Sequence, residues 1–124
     1  MILLDTNVII YYLQGEVSTV RKIRKLRQDG EIFAVSIITK IELLSYPLIS
    51  PDETEKINNL LQECYIVYLN ELVAEKVVEL RKKYKVLLAD IIIAASGLAI
   101  NAPLLTRNIK HFEKIKEIKL ILNG

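Results

Sequence analysis

The chain opens on Ile2-Leu3-Leu4, breaks into Asp5-Thr6-Asn7 and turns apolar again at Val8-Ile9-Ile10. An apolar triplet, a polar break and a second apolar run read as a short buried strand that ends in a turn and enters a buried helix. Asp5 is the only charged side chain between Met1 and Gln14. A carboxylate taken out of water without a partner costs several kcal/mol or takes up a proton, so an acid placed here needs a reason. Two reasons compete at this point. Asp5-Thr6-Asn7 is a good helix-capping sequence and could do no more than start the helix. Alternatively, the acid is held at the end of the strand for chemistry.

The same alternation continues along the chain. Apolar runs predict strands over 2–4, 32–35, 65–69, 103–106 and 119–122. Helical spacing predicts helices over 6–14, 17–28, 37–45, 51–63, from an Asn70 cap to about 84, and over 89–100, with a helical turn at 109–113. Gly15 and Gly30 stop the first two helices. Ser36 caps the third, and Pro47 marks its end. Ser50-Pro51-Asp52-Glu53 combines a capping Ser, Pro at the first helical position and Glu at the third. Strands alternating with helices predict one α/β domain over 1–124, with a mostly parallel sheet and helices on both faces.

Composition narrows the chemistry. At 124 residues, 52% hydrophobic and 26% charged, the chain can bury a core of its own. A net charge of +2 is too small to identify nucleic acid as a partner by itself. The single Cys64, expected as a small buried residue, excludes an internal disulfide framework and any multi-cysteine zinc site. Any metal would therefore be held by carboxylates, which suits Mg²⁺ or Mn²⁺. Asp5 interrupts the apolar start, and no basic leader or small-residue cleavage site is apparent. The longest apolar window, 86–100, is too short to span a bilayer and contains Asp90. The expectation is a cytoplasmic protein with no membrane contact.

In parallel α/β sheets ligands bind beyond the carboxyl ends of the strands. The residues just past those ends are Asp5, then Ser36 with Glu42 on its helix, then Thr106 with Asn108. Asp90 opens a helix otherwise made of apolar and small residues. It could be a first-turn acid favoured by the helix dipole, a contribution of about 0.3–1 kcal/mol, but its apolar surroundings argue for a buried role. Glu42, preceded by Lys40 and Ile41, could equally be a solvated helix residue. If the three acids converge, two carboxylates about 4 Å apart repel by roughly 4 kcal/mol at an effective dielectric near 20. Such a cluster makes sense around a divalent cation, which can orient a phosphodiester and activate water.

Taken together, these segments resemble the PIN-domain ribonucleases. The matching pieces are Asp5-Thr6-Asn7 after the first strand, Glu42 within Ser36-Ile37-Ile38-Thr39-Lys40-Ile41-Glu42, Asp90 within Leu88-Ala89-Asp90-Ile91, and Leu104-Leu105-Thr106-Arg107-Asn108 followed by Phe112. Within that family the chain is most similar to the VapC toxin subunits of VapBC toxin–antitoxin pairs. The resemblance covers essentially the whole chain and rests on the order and spacing of four segments rather than on any one of them. It implies a three-layer α/β/α domain with sheet order 3-2-1-4-5 and a Mg²⁺- or Mn²⁺-dependent endoribonuclease leaving a 5′-phosphate and a 3′-hydroxyl. Asp5 and Asp90 would ligate the metal directly, and Glu42 directly or through water. Thr106 would bond near the metal or its waters, and Asn7 would support Asp5. A homodimer is implied, together with an antitoxin whose C-terminal segment lies across the site.

The chain departs from the family where a fourth acid often follows: Asn108 and His111 stand there. Three carboxylates with one divalent cation sum to −1 and with two to +1, which favours one tightly held ion. Asn108 would orient a water or donate to a phosphate. His111 reads as a solvated helix-end residue in preference to a phosphate contact. Arg107, beside the site, is the better candidate for touching an RNA phosphate. The basic stripe Arg21, Lys22, Arg24, Lys25, Arg27 and the cluster Arg81, Lys82, Lys83, Lys85 would make RNA binding salt-dependent, or are simply wet helix faces. Tyr11, Tyr12, Tyr65 and Tyr68 read as core and interface residues. Unusually apolar helices suggest a covering partner. Two alternatives stay open: a PIN-fold scaffold with a decayed site, and a phosphohydrolase with an aspartyl nucleophile. The latter would want an acid where Asn7 stands.

Overall fold

The structure, a computed structural model, describes residues 1–122. Strands β1 (Ile2–Leu4), β2 (Phe33–Ser36), β3 (Tyr65–Val67), β4 (Leu104–Thr106) and β5 (Leu120–Leu122) form one sheet in the order β3-β2-β1-β4-β5, every pair parallel. Helices α1 (Thr6–Leu13), α2 (Val17–Gln28), α3 (Ile37–Leu44), α4 (Pro51–Gln62), α5 (Glu71–Lys83), α6 (Leu88–Ala99) and α7 (Ile109–Phe112) connect them. The expected three-layer α/β/α fold and strand order are both present.

The layers follow from strand pleating, which sends successive side chains to opposite faces. Leu3, Ala34 and Leu104 point into a core with Val73, Leu80, Ile91, Ile93, Ala94, Ala95 and Phe112, so α5 and α6 cover that face. Ile2, Leu4, Phe33, Val35 and Leu105 point the other way, against Val8, Ile9, Ile23, Leu43, Ile57, Leu60 and Leu61 of α1 to α4. Gly97 lets α6 lie close to the sheet: a Cβ there would stand 2.8 Å from Ile118 Cδ1 and 3.1 Å from the Ala102 carbonyl oxygen.

The helix boundaries are set by local chemistry. Ser50 and Glu53 form the expected capping box, each side chain accepting from the other's backbone N–H. Asn70 caps α5 through the Val73 N–H at 3.0 Å. Gly15 and Gly30 adopt φ of 78° and 86° just past α1 and α2, a conformation that favours glycine. The second strand starts one residue later than expected and runs through Ser36, which is at once the last strand residue and the cap of α3. The third ends at Val67 because the pairing with β2 stops there, leaving Tyr68 and Leu69 exposed. Among the described residues no helix is long and apolar enough to cross a membrane.

Candidate active site at the carboxyl edge of the sheet

The chain runs from β1 outward to β2 and β3, then returns to place β4 on the other side of β1. The crevice between β1 and β4 is therefore the switch point at which open α/β sheets bind ligands. Asp5 and Thr106 stand at the carboxyl ends of those two strands. The register Leu4 to Leu105 and the bond from the Asp5 N–H to the Leu105 carbonyl at 3.0 Å hold them side by side.

Asp5 meets both readings of its sequence. It caps α1, with Oδ1 accepting from the Thr6 N–H at 2.8 Å, and it is a buried acid, 4% exposed. Its other oxygen, Oδ2, accepts from the Thr106 hydroxyl at 2.9 Å. The Thr106 oxygen in turn accepts from the Asn108 N–H at 2.9 Å, which leaves its proton to point at Asp5. Burial pushes the Asp5 carboxyl above its ordinary range against the lowering effect of these two bonds, and the Asp90 charge adds to the rise.

Glu42 and Asp90 are less confined. Glu42 is exposed on α3, with Oε1 accepting from the Thr6 hydroxyl at 2.8 Å, and the Thr6 and Thr39 hydroxyls stand 2.9 Å apart. Thr6 thus bridges the first two acids, one through its backbone and one through its side chain. Asp90 occupies the first turn of α6 with its side chain 16% exposed, and Oδ2 lies 3.4 Å from His111 Nδ1. Burial raises its carboxyl, His111 lowers it and the Glu42 charge raises it. Asp90 is mostly covered but keeps an exposed edge, and Leu87 and Leu88 beside it face outward at 72% and 51% exposed.

The remaining expected residues fall around this trio. Asn7 is half-buried in the first turn of α1, and the bonds to Asp5 come from Thr6 and Thr106 rather than from it. Asn108 contributes its backbone. Arg107, expected beside a phosphate, instead pairs with Glu16, contacts the Thr19 hydroxyl at 3.3 Å and lies 4.3 Å over the Tyr11 ring. His111 is half exposed but turned toward Asp90 rather than wholly solvated. Nothing in the sequence marks Thr6, Thr39 and Glu16 as partners of these residues, since their bonds join positions far apart in the chain. Cys64 is partly buried against the second core, and desolvation pushes its thiol up to about 11. Of the tyrosines, Tyr12 packs on that core, while Tyr65 and Tyr68 are exposed.

The donor set suits a hard divalent cation: it is made of carboxylate oxygens, and those of Asp5 and Asp90 are raised by burial first and by a neighbouring acid's charge in addition. As they stand, no three Asp, Glu, His or Cys side chains among the described residues are gathered closely enough to hold an ion together. Asp5 is bonded inward to Thr106, Glu42 to Thr6, and Asp90 faces His111, as expected for like charges that repel.

A parallel sheet in this order, with acids grouped at its switch point, defines a class, and the PIN domain profile matches residues 2–118. The chain belongs to the PIN-domain family. It is similar to Ribonuclease VapC1 of Methanocaldococcus jannaschii, 37% identical over 125 residues that cover 96% of this chain and 84% of that protein. Among solved structures it is similar to VapBC2 from Rickettsia felis bound to a DNA fragment from their promoter, at TM-score 0.85 and 26% identity over 98% of each chain. It is also similar to a toxin–antitoxin complex from Klebsiella pneumoniae, at TM-score 0.80 and 26% identity over 100% of this chain and 98% of that one.

Proposed function

We propose that the protein is a Mg²⁺- or Mn²⁺-dependent endoribonuclease, acting as the toxin of a toxin–antitoxin pair. The observation that carries this reading is the buried Asp5 at the switch point, within electrostatic reach of Asp90, which is in turn within reach of Glu42, in a PIN-family chain. Asp5 and Asp90 would hold one cation, with Glu42 joining directly or through water. When bound, such a cation lowers the pKa of a water and stabilises charge developing on the phosphoryl oxygens. Thr106 fixes the orientation of Asp5 through its donated hydrogen bond. Asn108 and His111 stand where the family resemblance leads one to expect a fourth acid, and a site with three carboxylates favours a single resident ion. Hydrolysis would leave a 5′-phosphate and a 3′-hydroxyl. The whole chain acts as one domain in the cytoplasm, as a homodimer, and its antitoxin covers the site. Support for the partner comes from the similarity to solved VapBC and toxin–antitoxin complexes.

The test is cleavage of a panel of structured RNAs with Mn²⁺ or Mg²⁺, beside EDTA and an Asp90→Asn variant. Metal-dependent cutting lost in Asp90→Asn supports the reading. Cutting that survives both EDTA and the substitution belongs to a contaminant and removes the mechanism. A folded protein that neither cuts RNA nor binds Mn²⁺ in calorimetry is a PIN-fold scaffold.

A further inference from the structure

Arg107 occupies an odd place for a cation. It follows Thr106 directly, beside a cluster of acids, yet its guanidinium is turned away from them. It pairs with Glu16 at the cap of α2, touches the Thr19 hydroxyl and stacks over Tyr11 of α1. The charges that act on the Asp5 carboxyl are those of Asp90 and His111. Glu16 is itself held firmly: its Oε1 accepts from the Ser18 and Thr19 hydroxyls. The Ser18 bond first, then Arg107, bring its pKa down to about 2. Thr19 is fully buried. Three residues, Tyr11 of α1 with Glu16 and Thr19 at the start of α2, thus receive one side chain from the loop after β4. A planar guanidinium that stacks over a ring while its Nη1 donates to both Glu16 and Thr19 is what arginine offers and lysine does not.

The loop so gripped is the one that aims Thr106. Arg107 lies between the Thr106 hydroxyl, which donates to Asp5, and the Asn108 N–H, which donates to that hydroxyl. The backbone at 106–108 must be fixed for both bonds to hold. We propose that Arg107 is a positioning residue: clamped by Glu16, Thr19 and Tyr11, it fixes the 106–108 backbone so that Thr106 holds Asp5 in place to receive the cation. The catalytic consequence rests on the nuclease reading above; the mechanical part does not. The clamp also occupies the arginine, so its charge stays off the acids and away from RNA.

The experiment compares wild type with Arg107→Ala, Glu16→Gln and the charge swap Glu16→Arg/Arg107→Glu. Thermal unfolding first establishes that each variant is folded. Amide hydrogen exchange then reads the clamp without any metal. Both single variants should speed exchange of the Asn108 amide while leaving that of Leu105 unchanged. Calorimetry with MnCl₂ and cleavage kinetics read the consequence. Each single variant should weaken Mn²⁺ binding and lower kcat by about tenfold, the scale of outer partners of metal ligands. KM for RNA and the salt dependence should not move, and the swap should recover part of the loss.

If Arg107→Ala raises KM and flattens the salt dependence while Glu16→Gln does neither, Arg107 contacts a phosphate and the proposal fails. It fails equally if both variants only lower the melting temperature, with Mn²⁺ affinity and Asn108 exchange as in wild type. A wild type that neither binds Mn²⁺ nor cuts RNA overturns the nuclease reading and the catalytic half of this inference. Asn108 exchange still decides the mechanical half.

Discussion

Asp5 and Glu42 are both acids at the carboxyl edge of one sheet, and the fold treats them in opposite ways. Asp5 is sealed between β1 and β4, with each carboxylate oxygen given its own donor and the donating loop clamped from behind. Glu42 stands exposed on α3 and holds a single hydroxyl, while Asp90 leans on a half-exposed imidazole. One half of the site is bonded on both sides, and the other is held by single contacts. Under the nuclease reading proposed above, a preorganised anchor beside less confined acids would suit admission of a cation and then a phosphodiester without dismantling the fold.

The largest effect should come from the anchor. We predict that Asp5→Asn reduces Mn²⁺-dependent RNA cleavage to the level of the EDTA control, whereas Glu42→Gln leaves a measurable residue of activity under the same assay. Equal loss in both would mean that the exposed acid is as essential as the buried one and would erase the distinction.

Stability should divide along the same line. Thr106→Val removes the donor to Asp5 Oδ2 and the acceptor of the Asn108 N–H. Leaving such groups without partners costs about 1–3 kcal/mol. Glu42→Gln keeps an acceptor for the Thr6 hydroxyl and should change stability by less than about 0.5 kcal/mol. Urea denaturation in EDTA measures both, and a Thr106→Val variant as stable as wild type would show that the inner half is not held by this bond.

The metal-free protein should also carry a pH signature of the buried acid. The Asp5 carboxyl titrates above its ordinary 3.8 in the folded state, through burial first and the Asp90 charge in addition. The folded state therefore holds this proton over a window in which the unfolded chain has lost it. Its stabilising contribution is complete below about pH 3.8 and is lost as pH rises through the raised folded value. In Asp5→Asn this decline above pH 3.8 should shrink, as read from urea midpoints at several pH values in EDTA. An unchanged slope would place the proton elsewhere.

Much of this was legible because it is local. Short apolar runs between helices mark the layers, and Ser50-Pro51-Asp52-Glu53 and Asn70 set helix starts by their own hydrogen bonds. Asp5 stood out because a lone acid in an apolar run is costly wherever it lies. What stayed hidden is non-local. Arg107 and Glu16 are 91 positions apart and Thr6 and Glu42 are 36 apart, so no periodicity relates them. The apolar sequence around Asp90 implies a buried acid, and its side chain is indeed largely covered, at 16% exposed. Yet the first turn of α6 sits at the edge of the core, and Leu87 and Leu88 face outward. Helical spacing identifies an apolar stretch but not which of its residues another layer will cover.

The smallest expected effect belongs to the outer half, at His111. Its imidazole lowers the Asp90 carboxyl by its charge and by its hydrogen bond, against burial and the Glu42 charge, which raise it. His111→Asn should let the Asp90 carboxyl move upward, visible as a shift of its ¹³C carboxyl titration in metal-free protein. If Asp90 ligates a cation as proposed, its carboxylate is already committed in the loaded protein, and cleavage at neutral pH should fall by less than the roughly tenfold typical of an outer partner of a metal ligand. A much larger loss would make His111 a direct participant and move it into the fixed half of the site. No shift in the Asp90 titration would mean that the 3.4 Å approach carries no electrostatic weight.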